Sequence, residues 1–252
     1  ARLASVALAC GAIAAAACDA SAPPSDAPPR MARSFLPVGS RWIPEAEVPS
    51  EPQHHPHMVI WELSAFAGRP PTDAQRAAAA DFVARAAEAA ERHGWYEFER
   101  GLADGFHLMH GDRRHYYNEQ NVFDDAVLDP DRPEFLMYYG TPSGQKLAGM
   151  MFYVAHPDGR GAQFAGPLTV WHYHVWSTPN CLLRGMLSVA TAEADGGCAR
   201  GEPRNRSPEM LHVWLLDHPE GPFATSMWLE PDQLRALVER DERRRLAGRA
   251  AP

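Results

Sequence analysis

Apolar positions along this chain follow two regimes. Between Thr72 and Gly94 they recur at helical spacing: Phe82, Ala86 and Ala90 repeat every fourth residue, while Arg76, Arg85, Glu88 and Glu91 fall on the other side. One narrow face packs and the rest meets water. Thr72-Asp73-Ala74-Gln75 is a capping-box pattern, in which the threonine hydroxyl takes a first-turn N–H and the glutamine reaches back. With an alanine-rich body and Gly94 as a stop, the pattern predicts a helix over 72–94. A second helix is predicted from Pro231, a residue suited to a first turn, with Leu234, Leu237 and Val238 on its buried side. Its continuation, ERDERRRLAGRAAP, reads as a solvated charge run.

Between the helices the apolar residues form short β-branched or aromatic runs. These are MVIWEL (58–63), EFLMYY (134–139), KLAGMMFYVA (146–155), LTVWHYHVW (168–176), CLLRGMLSVA (181–190), MLHVWLL (210–216) and FATSMW (223–228). Turn sequences such as GTPSG and HPDGRG separate them. Seven short strands with tight turns predict a mainly β, α+β fold: an antiparallel β-sandwich or barrel flanked by an N-terminal and a C-terminal helix. The β-rich domain is expected over 58–230 with the helix at 72–94 embedded in it, and 231–252 forms the C-terminal helix and charged tail.

The amino-terminal quarter is different. Residues 1–18 are a small-residue apolar run with one charge, Arg2, shorter than the roughly 20 residues of a membrane span and suited to a signal sequence. Ala15-Ala16-Ala17-Cys18 fits either simple cleavage or lipidation at Cys18, so an exported, extracytoplasmic or periplasmic protein is expected, with a lipid anchor to the membrane as the favoured partner. Residues 19–57 are too proline-rich for helix or central strand and read as an extended tether, ending in His54, His55 and His57. Beyond the signal the cysteines are Cys181 and Cys198, an even pair in an oxidising compartment. A disulfide is the expected state, worth about 3 kcal/mol; a metal-bound Cys181 thiolate is the alternative.

Charge narrows the partners. Lys and Arg number 24 against 32 Asp and Glu, a formal net charge of −8, which lacks the basic footprint of a nucleic-acid-binding protein. No Gly-rich phosphate loop, G-x-S-x-G elbow or C-x-x-C-H haem attachment occurs. Kinase, NTPase, Rossmann and α/β-hydrolase classes therefore drop out.

Histidine is the abundant chemical resource, with 12 in the chain. In Trp171-His172-Tyr173-His174-Val175-Trp176, strand alternation projects His172 and His174 to one face, where two imidazoles can share an ion. His212, inside the apolar run Met210-Leu211-His212-Val213-Trp214, must be paired or ligated, and is the expected third ligand. Met210 shares its face, and a thioether beside imidazoles favours copper. His115 is expected to turn inward from the polar region GFHLMHGDRRHYYNEQNVFDD, as a fourth ligand or a base behind the ligands. His107 and His110 share a face only if that region is helical. His218 sits at a turn, where Asp217 can orient it as an acid or base; His93 and His156 end their elements.

Two resemblances follow from these segments. HYYN (115–118), LDPDRPEFLMY (128–138), GPLTVWHYHVW (166–176), CLLRGM (181–186) and PEMLHVWLLDHPEGPFA (208–224) resemble uncharacterised exported bacterial proteins that pair a W-H-x-H with an M-L-H-V-W segment. That resemblance implies export and carries no activity. Gly166, His172 and His174 also match the spacing of a cupin's first motif, which implies a barrel mouth with His172, His174 and His212 as ligands. The glutamate that follows in cupins is absent here, with Ser177, Thr178 and Pro179 in its place, which moves the expectation from iron dioxygenase chemistry to copper or zinc. The reading is an exported protein with one mononuclear transition-metal ion, copper or zinc ahead of iron, acting as a metalloenzyme or copper handler on a small-molecule or envelope partner. The alternatives are a non-catalytic module of the cell envelope and a metal-free hydrolase working through His218 or His115.

Overall fold

The computed structural model describes residues 58–60 and 70–250. The signal, Cys18, the tether and its three histidines lie outside the described residues. Among the described residues nine strands form an antiparallel sheet: β1 Met58–Ile60, β2 Phe106–Leu108, β3 His115–Asn118, β4 Phe135–Thr141, β5 Gly144–Tyr153, β6 His172–Leu183, β7 Leu187–Thr191, β8 Glu202–Arg206 and β9 Met210–Trp214. The helices are α1 Asp73–His93, α2 Phe98–Ala103, α3 Glu119–Val122 and α4 Pro231–Ala250. Strands run β1-β6-β9-β5-β4-β3-β2 across a main sheet curled into a half-barrel. The C-terminal half of β6 leaves this sheet at a register shift between Val175 and Asn180 and pairs instead with β7 and β8. A three-stranded arm results.

Local chemistry explains the first helix. Thr72 accepts the Gln75 N–H and Gln75 returns a side-chain oxygen to the Thr72 N–H, closing the capping box, and Gly94 ends the helix in the left-handed region at φ 73°. Ala79, Phe82, Ala86, Ala89 and Ala90 are the buried stripe. It lies on one face of the main sheet, against Leu136, Tyr138, Met150, Phe152, Leu211 and Val213. The opposite face carries Phe135, Met137, Met151, Tyr153, Met210 and Trp214, packed with Leu234, Leu237 and Val238 of α4. Both faces of β4, β5 and β9 are covered, so their sequences are continuous apolar runs with no period-two alternation.

Several differences from the sequence reading have physical causes. The segment 223–228 forms no strand and instead offers the Ala224 carbonyl to two buried side chains. The region at 106–118 is two short strands, β2 and β3, so His107 and His110 share no helix face. The C-terminal charge run stays helical to Ala250, and it is not wholly solvated. Asp241 is buried between Arg244 at 2.7 Å and Arg245 at 2.9 Å, and the Arg245 guanidinium covers the Tyr96 ring. Among the described residues no helix is long and apolar enough to cross a membrane. Cys181 and Cys198 are disulfide-bonded, which removes Cys181 as a thiolate ligand and is compatible with an extracytoplasmic location.

Candidate metal centre

Strands β3 and β9 are separated by β4 and β5, three strand spacings or roughly 14 Å in a flat sheet. Yet His115 Nε2 of β3 lies 3.3 Å from His212 Nε2 of β9. The curl of the sheet brings them within reach. Two features between them permit it: a register shift in β4 between Met137 and Tyr138, and Gly149 in β5. A methyl group at Gly149 would overlap the Val213 carbonyl and the end of the Met137 side chain, so only hydrogen fits where the strands close up.

His115 is oriented from its own turn. Asp112 Oδ1 accepts the backbone N–H groups of Arg113, Arg114 and His115 at 2.6, 2.7 and 3.0 Å, and Oδ2 lies 2.8 Å from His115 Nδ1. Burial favours the neutral acid, but the imidazole and the backbone N–H groups outweigh it and hold the Asp112 carboxyl well below the usual carboxylate range. It is ionised, it can only accept, and so His115 Nδ1 carries the proton.

His212 is fixed at its other nitrogen too. Its Nδ1 lies 3.2 Å from the Ala224 carbonyl oxygen, which also accepts the Trp214 indole N–H at 2.8 Å. A carbonyl cannot donate, so His212 Nδ1 is the donor. Burial, then the neighbouring His172, His115 and His174, push its pKa well below the usual histidine value. The ring is neutral at pH 7, and its Nε2 presents a lone pair to His115.

The other two predicted ligands adjoin this pair. His172 is fully buried on β6, its ring centroid 4.6 Å from that of His212. The His174 ring, half-buried, stands 5.8 Å from the His172 ring, and Ser207 clamps its backbone through two 2.9 Å hydrogen bonds. Thus His115, His172, His174 and His212 form one contiguous cluster on one face of the sheet. Among the described residues, no three His, Cys, Asp or Glu side chains stand ready-spaced around one point as a metal cage. The pair His115–His212 has ligating spacing, since two nitrogens about 2.0–2.1 Å from a tetrahedral ion lie roughly 3.3 Å apart.

A cavity of about 330 Å³ opens beside the cluster, between the β6–β7–β8 arm and the main sheet, with Asp112, His115 and His174 in its wall. Met210 lines it as well. His218 lies apart from it: its ring packs on Trp214 at 4.4 Å, its Nδ1 accepts the Glu220 N–H, and burial pushes its pKa down to about 4. Asp217 does not orient it, because that carboxylate pairs with Arg244 and Arg240.

Sequence reasoning missed Asp112, Gly149 and the Ala224 carbonyl. Only the first left a signal, an Asp three residues before a His in a polar turn, the spacing at which a carboxylate caps backbone N–H groups. Compared with protein family models, curated proteins and solved structures, the chain finds no significant match.

Proposed function

We propose that this is an exported metal-binding protein whose mononuclear centre is founded on His115 and His212 and completed by His172 and His174. The observation that carries the reading is electrostatic. Both Nδ1 protons are committed to oxygen acceptors, Asp112 and the Ala224 carbonyl, which leaves two Nε2 lone pairs facing each other at 3.3 Å. Two lone pairs that close repel unless a cation lies between them. The outward hydrogen bonds to carboxylate and carbonyl are those that orient metal-bound histidines and raise their basicity. His172, whose ring centroid lies 4.6 Å from that of His212, is the nearest further imidazole to supply a third nitrogen. Nitrogen donors suit copper or zinc better than calcium or magnesium, and an open fourth position allows a Lewis-acid or water-activating role.

The same observation favours one second reading. If the cation is a proton, His115 is an imidazolium that donates Nε2–H to His212 and is balanced by Asp112, and the cluster is a structural clasp in an envelope module. Metal analysis separates the two. Protein purified after growth with zinc or copper is expected to hold close to one equivalent, and a His115→Ala His212→Ala variant below about a tenth of that. Wild-type protein that stays below a tenth after supplementation establishes the clasp and ends the metal reading.

A further inference from the structure

The sulfur chemistry around the imidazoles is more specific than the imidazoles themselves. Four of the nine methionines of the chain, Met109, Met151, Met186 and Met210, line the single cavity of about 330 Å³ that His115 and His174 also line. They arrive from four places in the fold: the loop after β2, strand β5, the turn between β6 and β7, and strand β9. Met151 is also the direct cross-strand neighbour of His212. Methionine in a core normally acts as a gap-filler. Here the gap persists among the four side chains.

From these observations we infer that the site takes copper as Cu(I), bound by the imidazoles together with methionine thioethers from the adjoining cavity. This rests on the metal reading above and gives it an ion and an oxidation state. Thioethers are soft, neutral donors that select Cu(I) over the harder divalent ions, which imidazole alone does not do. The described cysteines are locked in a disulfide, so thioethers are the soft donors on offer among the described residues. In an oxidising compartment a thiol ligand would be lost to disulfide formation, whereas a thioether keeps its donor pair.

The test uses the full chain and two metals. Cu(I), delivered anaerobically, is titrated against the chromophoric chelator bicinchoninate, and Zn(II) is titrated separately. Wild-type protein is expected to withdraw Cu(I) from the chelator, and copper X-ray absorption to show sulfur as well as nitrogen neighbours. Met151→Leu Met210→Leu, a volume-conserving change that keeps the core filled, is expected to lower the ratio of Cu(I) to Zn(II) affinity about tenfold or more; near-UV circular dichroism verifies the fold. Met109→Leu, at a half-buried loop position, repeats the measurement at a methionine less enclosed than Met151 and Met210. Zn(II) bound with Cu(I) refused, or Cu(I) held by nitrogen alone, overturns the inference and leaves the imidazole site standing. Binding of neither metal overturns both.

Discussion

Replacing Asp112 by Asn tests the proton arrangement on which the site depends. The amide oxygen can keep the three backbone N–H bonds now made by Oδ1 to Arg113, Arg114 and His115. What it loses is the second acceptor, because the amide nitrogen cannot accept from His115 Nδ1. The ring then moves its proton to Nε2 and its Nδ1 becomes the acceptor. The proton now lies in the 3.3 Å gap, where it donates to His212 and occupies the position proposed for the ion. Loss of a hydrogen-bonded carboxylate behind a ligating histidine lowers metal affinity about 10- to 100-fold, or about 1.4–2.7 kcal/mol. The fold should lose less than the about 1.5–3 kcal/mol of a charge-assisted hydrogen bond, since the new imidazole–imidazole bond offsets part of it. Calorimetric titration with Zn(II) gives the affinity, urea unfolding of metal-free protein gives the stability, and ring ¹⁵N shifts report which nitrogen of His115 is protonated. Zn(II) affinity within about twofold of wild type, with the proton still on Nδ1, would show that Asp112 does not set the tautomer and refute the reasoning.

Other outcomes follow from the same coordinates. His212 and His218 stay neutral in the fold while the unfolded chain protonates near pH 6.5, so their folded pKa values are depressed: stability is full above that pH and falls below it. For His218 the window runs from about 6.5 to about 4, at a slope of at most about 1.4 kcal/mol per pH unit. His218→Gln should flatten the metal-free stability profile there by that amount, and an unchanged slope in urea titrations at pH 7 and 5 would contradict it. Asp112 has the opposite origin and the same sense, its contribution being present above the ordinary carboxylate pKa and lost in stronger acid. Gly149→Ala should cost about 1–3 kcal/mol, because the overlap is with the fixed Val213 backbone as well as the Met137 side chain, and should weaken Zn(II) binding by opening the curl; a thermal melt and a titration check both. Cys181→Ser Cys198→Ser should lower unfolding free energy by about 3 kcal/mol in the chain-entropy account, measured against reduced and oxidised wild type.

Local signals in the sequence were enough for the elements whose ends are decided locally. Thr72, Gln75 and Gly94 bound α1 because capping is settled within four residues of chain. Leu234, Leu237 and Val238 marked the packed side of α4, and the alternation in W-H-x-H put His172 and His174 on one strand. The strands β2, β3 and β8 were harder to see. Two of them are only three and four residues long, and β8 is polar and largely unburied, so none carries an apolar run.

The site itself came from the tertiary structure. Three histidines of one polar stretch, His107, His110 and His115, separate only in three dimensions. The curl of the sheet at Gly149 and at the register shift beside Met137 brings His115 to His212, 97 residues apart in the chain. Residue choice along a strand determines which side chains share a face, through a period of two. The distance between strands that are not neighbours depends on how the whole sheet bends, and that is set by close contacts between residues far apart in sequence. For this chain, sequence supplied the imidazoles and the thioethers, and long-range packing decided which of them meet.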